Sequence, residues 1–218
     1  MNNVKNLSAA LQVIDAFFGA LRDAQWDSAA GMIDPDMASA FRKSELASLL
    51  AWARHRDAII AMRHRGEGSV GWSSDGRVDA ALVEKYGATP LRGASGAQTL
   101  AELAALSPRA FIATCLEASN GPVLNPDGDP IELKRRVIGG VPEGDAIVHV
   151  LFRVEGPGIE HTDPLSVEIV RVRHSGNAWT VDPTSLGFGI ASINSFTMLD
   201  DLAGEEAPSD AEPRAPDA

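Results

Sequence analysis

The sequence predicts an α+β fold: N-terminal helices packed on one face of a curved antiparallel sheet. Two observations carry that class. Apolar residues recur at helical spacing up to Asn120 and at a spacing of two beyond it. The links between the later segments are short and glycine-rich, so consecutive strands run antiparallel. Helices gathered before strands, instead of alternating with them, separate this class from a parallel α/β sheet.

Leu7, Leu11, Ile14, Phe18 and Leu21 form one apolar stripe of a first helix, with Asp15, Arg22 and Asp23 off it. Asp27 is placed to cap a short helix that runs through Ile33 and stops before Pro35. Ser44 is expected to cap a longer helix with Leu46, Leu49, Leu50 and Ala53 facing inward. A glycine- and serine-rich connection around Trp72 follows, then helical spacing at Val78, Leu82 and Tyr86. Thr99 and Glu102 have capping-box spacing, and Ser107-Pro108 sets a cap before a proline at the first helical position. Phe111, Cys115 and Leu116 would face inward on that helix, with Cys115 as a small core residue. The expected strands are 131–138, 146–155, 165–174 and 178–182, joined through Gly139-Gly140, Gly156-Pro157-Gly158 and Ser175-Gly176-Asn177.

The 218 residues suit a single domain over 1–199, with a helical insertion at about 66–120. Residues 200–218 carry seven acidic side chains and one basic, with three prolines, and are expected to be a disordered, solvated tail. A net charge of −11 argues against nucleic-acid binding and against anionic membrane surfaces. The first residues read as an amphipathic helix instead of a signal peptide, and residues 183–199 are too short and polar to span a bilayer. With one cysteine, the expected setting is cytoplasmic.

Ala16-Phe17-Phe18-Gly19-Ala20-Leu21, then Gln25-Trp26-Asp27-Ser28-Ala29-Ala30 and Ile33-Asp34-Pro35, resemble the opening of nuclear transport factor 2-like proteins. Trp179-Thr180-Val181-Asp182 resembles their last long strands. The resemblance covers about 6–61 and 131–188, and it makes 66–120 an enlarged insertion. It implies a cone with a central pocket between helices and sheet, often in dimers. Members of that superfamily include steroid isomerases, polyketide cyclases, dehydratases, epoxide hydrolases and plain binding proteins. Steroid isomerases use a tyrosine near the first helix, whereas Tyr86, the sole tyrosine here, falls in the insertion. No catalytic residue is carried over.

Symmetric closure of the hairpin after Glu155 sets Val150 opposite Val170 and Phe152 opposite Glu168. Closure through Ser175-Gly176-Asn177 would set Val170 opposite Asp182 and Val172 opposite Thr180. One sheet face then carries the valines, Phe152, Glu168, Thr180 and Asp182 and should meet the helices. Glu168 and Asp182 become the candidate catalytic pair, since two carboxylates against apolar neighbours suit proton transfer near neutral pH. Arg135 joins them if a bulge at Gly139-Gly140 keeps Ile131, Leu133, Arg135 and Val137 on the apolar side, where it would neutralise Glu168 or bind an anion. Trp26, Trp52, Phe152 and Thr180 complete the expected ligand-binding set.

The opposite face, with Ile147, Leu151, Val167, Ile169 and Trp179 among arginines, is expected to be a dimer surface. No metal or cofactor is expected. His161-Thr162-Asp163 lacks spaced partners, His149 and His174 face opposite ways, and Gly93-Ala94-Ser95-Gly96 lacks a P-loop context. Arg54-His55-Arg56 and Arg63-His64-Arg65 read as solvated helix flanks. The leading function is binding of a small apolar or anionic molecule, extending to a cofactor-independent isomerase, cyclase or dehydratase. The alternative is a non-enzymatic interaction or dimerisation domain. Both stand at this point.

Overall fold

The computed structural model describes residues 2–65, 76–92, 96–120, 123–124, 130–131, 133–156 and 167–186. The acidic tail, Trp72 and His161-Thr162-Asp163 lie outside them. Six helices come first: α1 (Asn2–Arg22), α2 (Trp26–Ala30), α3 (Pro35–Arg65), α4 (Ala80–Tyr86), α5 (Leu100–Ala105) and α6 (Pro108–Ser119). A two-residue ladder pairs β1 (Val123–Leu124) with β2 (Pro130–Ile131). The main sheet is an open antiparallel meander in the order β3 (Lys134–Glu143), β4 (Ile147–Glu155), β5 (Val167–Ser175) and β6 (Ala178–Val181). The α+β class and the run of consecutive antiparallel strands are as the sequence predicts.

The stripe of α1 lies on the sheet, with Ala10, Ile14 and Phe17 fully buried against Val148, Val150, Phe152, Val170, Val172 and Val181. Its close approach to β3 is permitted by Gly140. A Cβ there would stand 2.9 Å from Leu7 and 3.1 Å from Val148. The helices expected as an insertion do not form a separate lobe. Phe111, Ile112 and Cys115 of α6 are fully buried in the same core, and α6 packs on α2 and α3. The expected caps are present: Ser107 Oγ accepts from the Ala110 amide, and Thr99 and Glu102 form the capping box.

Asp27 does not cap the short helix as expected: α2 begins at Trp26 and ends at Ala30, Gln25 holds the cap position, and Asp27, inside the helix, accepts from Arg109. Three further expectations need correction. The third helix starts at Pro35, not at Ser44. Asp34 accepts from the Asp36 and Met37 amides, and proline follows at the first helical position, a stronger start than a lone serine. The stripe then runs through Ala38 and Phe41, both buried, before Leu46. The first long strand, likewise, passes straight through Gly139-Gly140, and its turn falls at Gly144, whose φ of 65° suits glycine. Ile138 is an extra residue between the pairs Val137–Phe152 and Gly139–Leu151. That bulge keeps Arg135 and Val137 on the helix-facing side, the assignment their apolar parity favours.

The third correction is a one-residue change of register. β5 and β6 pair as Val172–Val181, Arg173–Thr180, His174–Trp179 and Ser175–Ala178. The turn therefore has two residues, with Gly176 at φ 59° in its first central position, as a type II′ hairpin requires. One slip of register exchanges the faces. Val181 and Trp179 pack toward the core, and Thr180 and Asp182 pass to the other side. Among the described residues no helix is long and apolar enough to cross a membrane.

Candidate functional site

The β4–β5 register is as expected: Val150 opposes Val170, and Phe152 opposes Glu168. With the bulge holding Arg135 on the same face, the sheet brings Arg135, Phe152 and Glu168 together around a recess of about 100 Å³. Phe17, Phe18, Leu21 and Leu116 supply its apolar wall. Phe18 and Arg135 also border a larger cleft, about 820 Å³, between α1 and the start of β3. That volume lies in the range of small-molecule sites.

The helix side of this cleft is one stripe, Leu11, Asp15, Phe18, Gly19 and Arg22, at the spacing one α-helical face requires. Gly19 is the informative member. Glycine in a helix interior costs roughly 1 kcal/mol relative to alanine. Here no close packing requires it, since nothing lies within 4 Å of where a Cβ would stand. Its effect is to leave the cleft open.

Arg135 is partly buried, with its guanidinium carbon 6.0 Å from the centre of the Phe18 ring, a cation–π distance. Its Nη2 donates to Asn120 Oδ1 at 2.6 Å, its one hydrogen bond among the described residues. Asn120 is fixed in turn, because its Nδ2 donates to the Leu116 carbonyl at the end of α6. Burial draws the Arg135 pKa down from its ordinary value, while the charge of Glu168 acts the other way. The guanidinium stays protonated, as arginine does throughout proteins. The result is a held cation that, among the described residues, has hydrogen-bonding capacity to spare beside Phe18 and Phe152.

Asp182 is elsewhere, so the expected carboxylate pair does not form. It is fully buried on the opposite face. Its Oδ2 accepts from Arg171 Nε at 2.5 Å and Arg173 Nε at 3.0 Å, and its Oδ1 accepts from the Thr184 hydroxyl and amide. Burial would raise its pKa, but the Thr184 hydrogen bonds and the Arg171 charge outweigh it and hold the carboxyl below its usual range. A carboxylate this fully satisfied is a structural node, poorly suited to exchange protons with a ligand. Thr180 leaves the ligand set for the same reason of register, and its hydroxyl donates to the Arg173 carbonyl.

The two tryptophans also lie apart from Glu168. Trp26 borders a shallow groove with Ala113, Thr114 and Glu117 of α6. Trp52 packs edge-on to His55 on α3, their ring centres 5.9 Å apart. Of the sequence-derived set, Glu168, Arg135 and Phe152 share one site. Asn120 and Gly19 were missed. A glycine inside an otherwise unbroken helical stripe is a sequence signal for the second, and an asparagine ahead of Gly121-Pro122 marks the helix end that supplies the first. Among the described residues no cluster of three His, Cys, Asp or Glu could hold a metal ion. Compared with protein-family models, with curated proteins and with solved structures, the chain matches none.

Proposed function

We propose that the chain is a small-molecule-binding domain of the nuclear transport factor 2-like type, with its site in the cleft between α1 and β3. The observation that carries this reading is Arg135: a partly buried cation that spends one hydrogen bond on Asn120 and borders both the cleft and the recess behind it. Leu11, Phe18 and Val137 give the cleft apolar surface beside its charged residues, and a ligand site combines the two. Glu168 stands there as a single carboxylate. Among the described residues Asp182 is not its partner and no other carboxylate lines the recess, so binding is the function proposed, in a cytoplasmic setting.

Gly19→Leu tests it. The substitution removes a helix-weakening glycine and projects a side chain into open space, so the fold should be as stable or slightly more so. A solvatochromic apolar dye should bind the parent chain saturably and lose at least tenfold in affinity for Gly19→Leu. Equal dye affinity in both proteins, with the parent melting temperature retained, would put the ligand elsewhere.

A second reading, association with another copy of the chain, is favoured by a different observation. Val141 and Ile169 are 58% and 55% exposed on the face of the sheet turned away from the helices. The two readings use opposite faces and do not compete.

A further inference from the structure

We infer that the ligand of the α1–β3 cleft is a singly charged anionic amphiphile, with its headgroup on Arg135 and its apolar part against Phe18. The inference rests on the binding role proposed for this cleft and adds the class of molecule. Its first ground is the charge balance of the lining. Arg22, Lys134, Arg135 and Arg136 face Asp15 and Glu155, an excess of cations in a chain whose net charge is −11. The outer cations are already engaged. Arg22 holds Asp23 at 2.8 Å, and Arg136 lies 3.6 Å from Glu155. Arg135 is the inner cation, and its hydrogen-bond partner Asn120 is neutral.

The second ground is the position of Glu168. It acts electrostatically on Arg135 from within the same recess, yet forms no ion pair with it among the described residues. A cationic ligand head would meet the Arg135 charge at close range. A doubly charged head would meet Asp15 and Glu168, neither of them ion-paired among the described residues, beside the one inner cation. A single negative charge satisfies Arg135 without that excess, through charge-assisted hydrogen bonds that are stronger than neutral ones. The third ground is the apolar wall. Phe18 borders both spaces, and Phe17, Leu21 and Phe152 line the inner one, so a hydrocarbon or ring system attached to the head is removed from water.

The test uses the whole chain and four probes of equal chain length: octanoate, 1-octanol, octylammonium and octyl phosphate, the last at a pH where it is a dianion. Each is titrated calorimetrically and by displacement of the apolar dye. Octanoate should bind at least tenfold more tightly than each of the other three. Arg135→Gln should weaken octanoate at least tenfold and change 1-octanol less than twofold, while Arg135→Lys recovers part of the octanoate affinity. Preference for 1-octanol, octylammonium or octyl phosphate overturns the inference on the unaltered chain, whatever the variants do. Dye binding without selectivity for octanoate overturns the inference and leaves the cleft as a binding site. Binding of neither dye nor probe removes both.

Discussion

At the scale of single residues, Asp182 shows how one step of register changes a role. It has the residue type of an acid–base group and the environment of a structural one: fully buried, with two arginines and Thr184 on its oxygens. Asp182→Asn keeps the shape and removes the charge both arginines answer. Breaking a buried pair costs about 3–5 kcal/mol, and the Arg171 and Arg173 side chains, 31% and 40% exposed, regain some hydration. A loss of about 2–3 kcal/mol is expected, read as a lower melting temperature by roughly 2–4 °C per kcal/mol. The pH dependence has a definite sign. The folded-state pKa lies below the ordinary aspartate value of 3.8, so the stabilisation is fully present above that value and is lost as pH falls through the folded pKa. Acid unfolding of Asp182→Asn should lack that component, and a variant as acid-sensitive as the parent would count against the assignment. Phe152 and Glu168 were legible in the sequence because the faces of β4 and β5 follow from valines on alternate positions, and Arg135 because it shares the apolar parity of its own strand. Asp182 and Thr180 were not, because β6 has four residues and too few apolar positions to fix its own register. Only the Gly176-Asn177 pair, read as a two-residue turn, signals the correct alignment.

At the scale of elements, sequence reading succeeded where local chemistry and tertiary packing agree. The caps of α5 and α6 formed at the residues whose side chains could make them. The stripe of α1 is buried as its period requires. It failed where two starts competed: Ser44 against Asp34-Pro35 for α3. Asp34 does more than cap, since its Oδ2 also accepts from the Ser175 hydroxyl at 2.5 Å, tying the start of α3 to the β5–β6 hairpin. Asp34→Ala should cost about 1–2 kcal/mol, the range of a lost N-cap. Its distinctive readout is spatial. Amide hydrogen exchange should quicken in the first turn of α3 and at the Ser175–Ala178 turn together. Faster exchange in α3 alone would reduce Asp34 to an ordinary cap. Burial of the Asp34 carboxylate is slight, and its pKa is lowered chiefly by the Ser175 hydroxyl, so this tie also weakens as pH falls below the usual carboxylate range.

At the scale of the whole molecule, the open sheet has one face spent on the helical core and one turned outward. An antiparallel sheet tolerates a solvated face when that face is polar. This one is mixed. Val141 and Ile169 stand more than half exposed beside Glu143, His149, Arg171 and Arg173. Trp179, expected there from the sequence, packs toward the core instead, so the apolar content rests on the aliphatics. Two copies meeting about a twofold axis would cover those side chains with their equivalents. Glu143 already hydrogen-bonds His149 at 2.6 Å and feels the charges of Arg171 and Arg173, so the polar part of the face carries both signs and can complement itself. Light scattering at micromolar concentration should therefore give twice the chain mass. Ile169→Glu and Val141→Glu should each shift the mass toward the single chain and leave the far-ultraviolet spectrum unchanged, because neither side chain contributes to the core. Raising salt should weaken association only modestly, since aliphatic burial supplies most of the contact and exposed charges are screened within about 10 Å at 0.1 M. A parent chain that scatters as a monomer throughout that range, with Ile169→Glu indistinguishable from it, would show that this face is a solvated surface and leave the helix-side cleft as the only one of the two faces with a binding role.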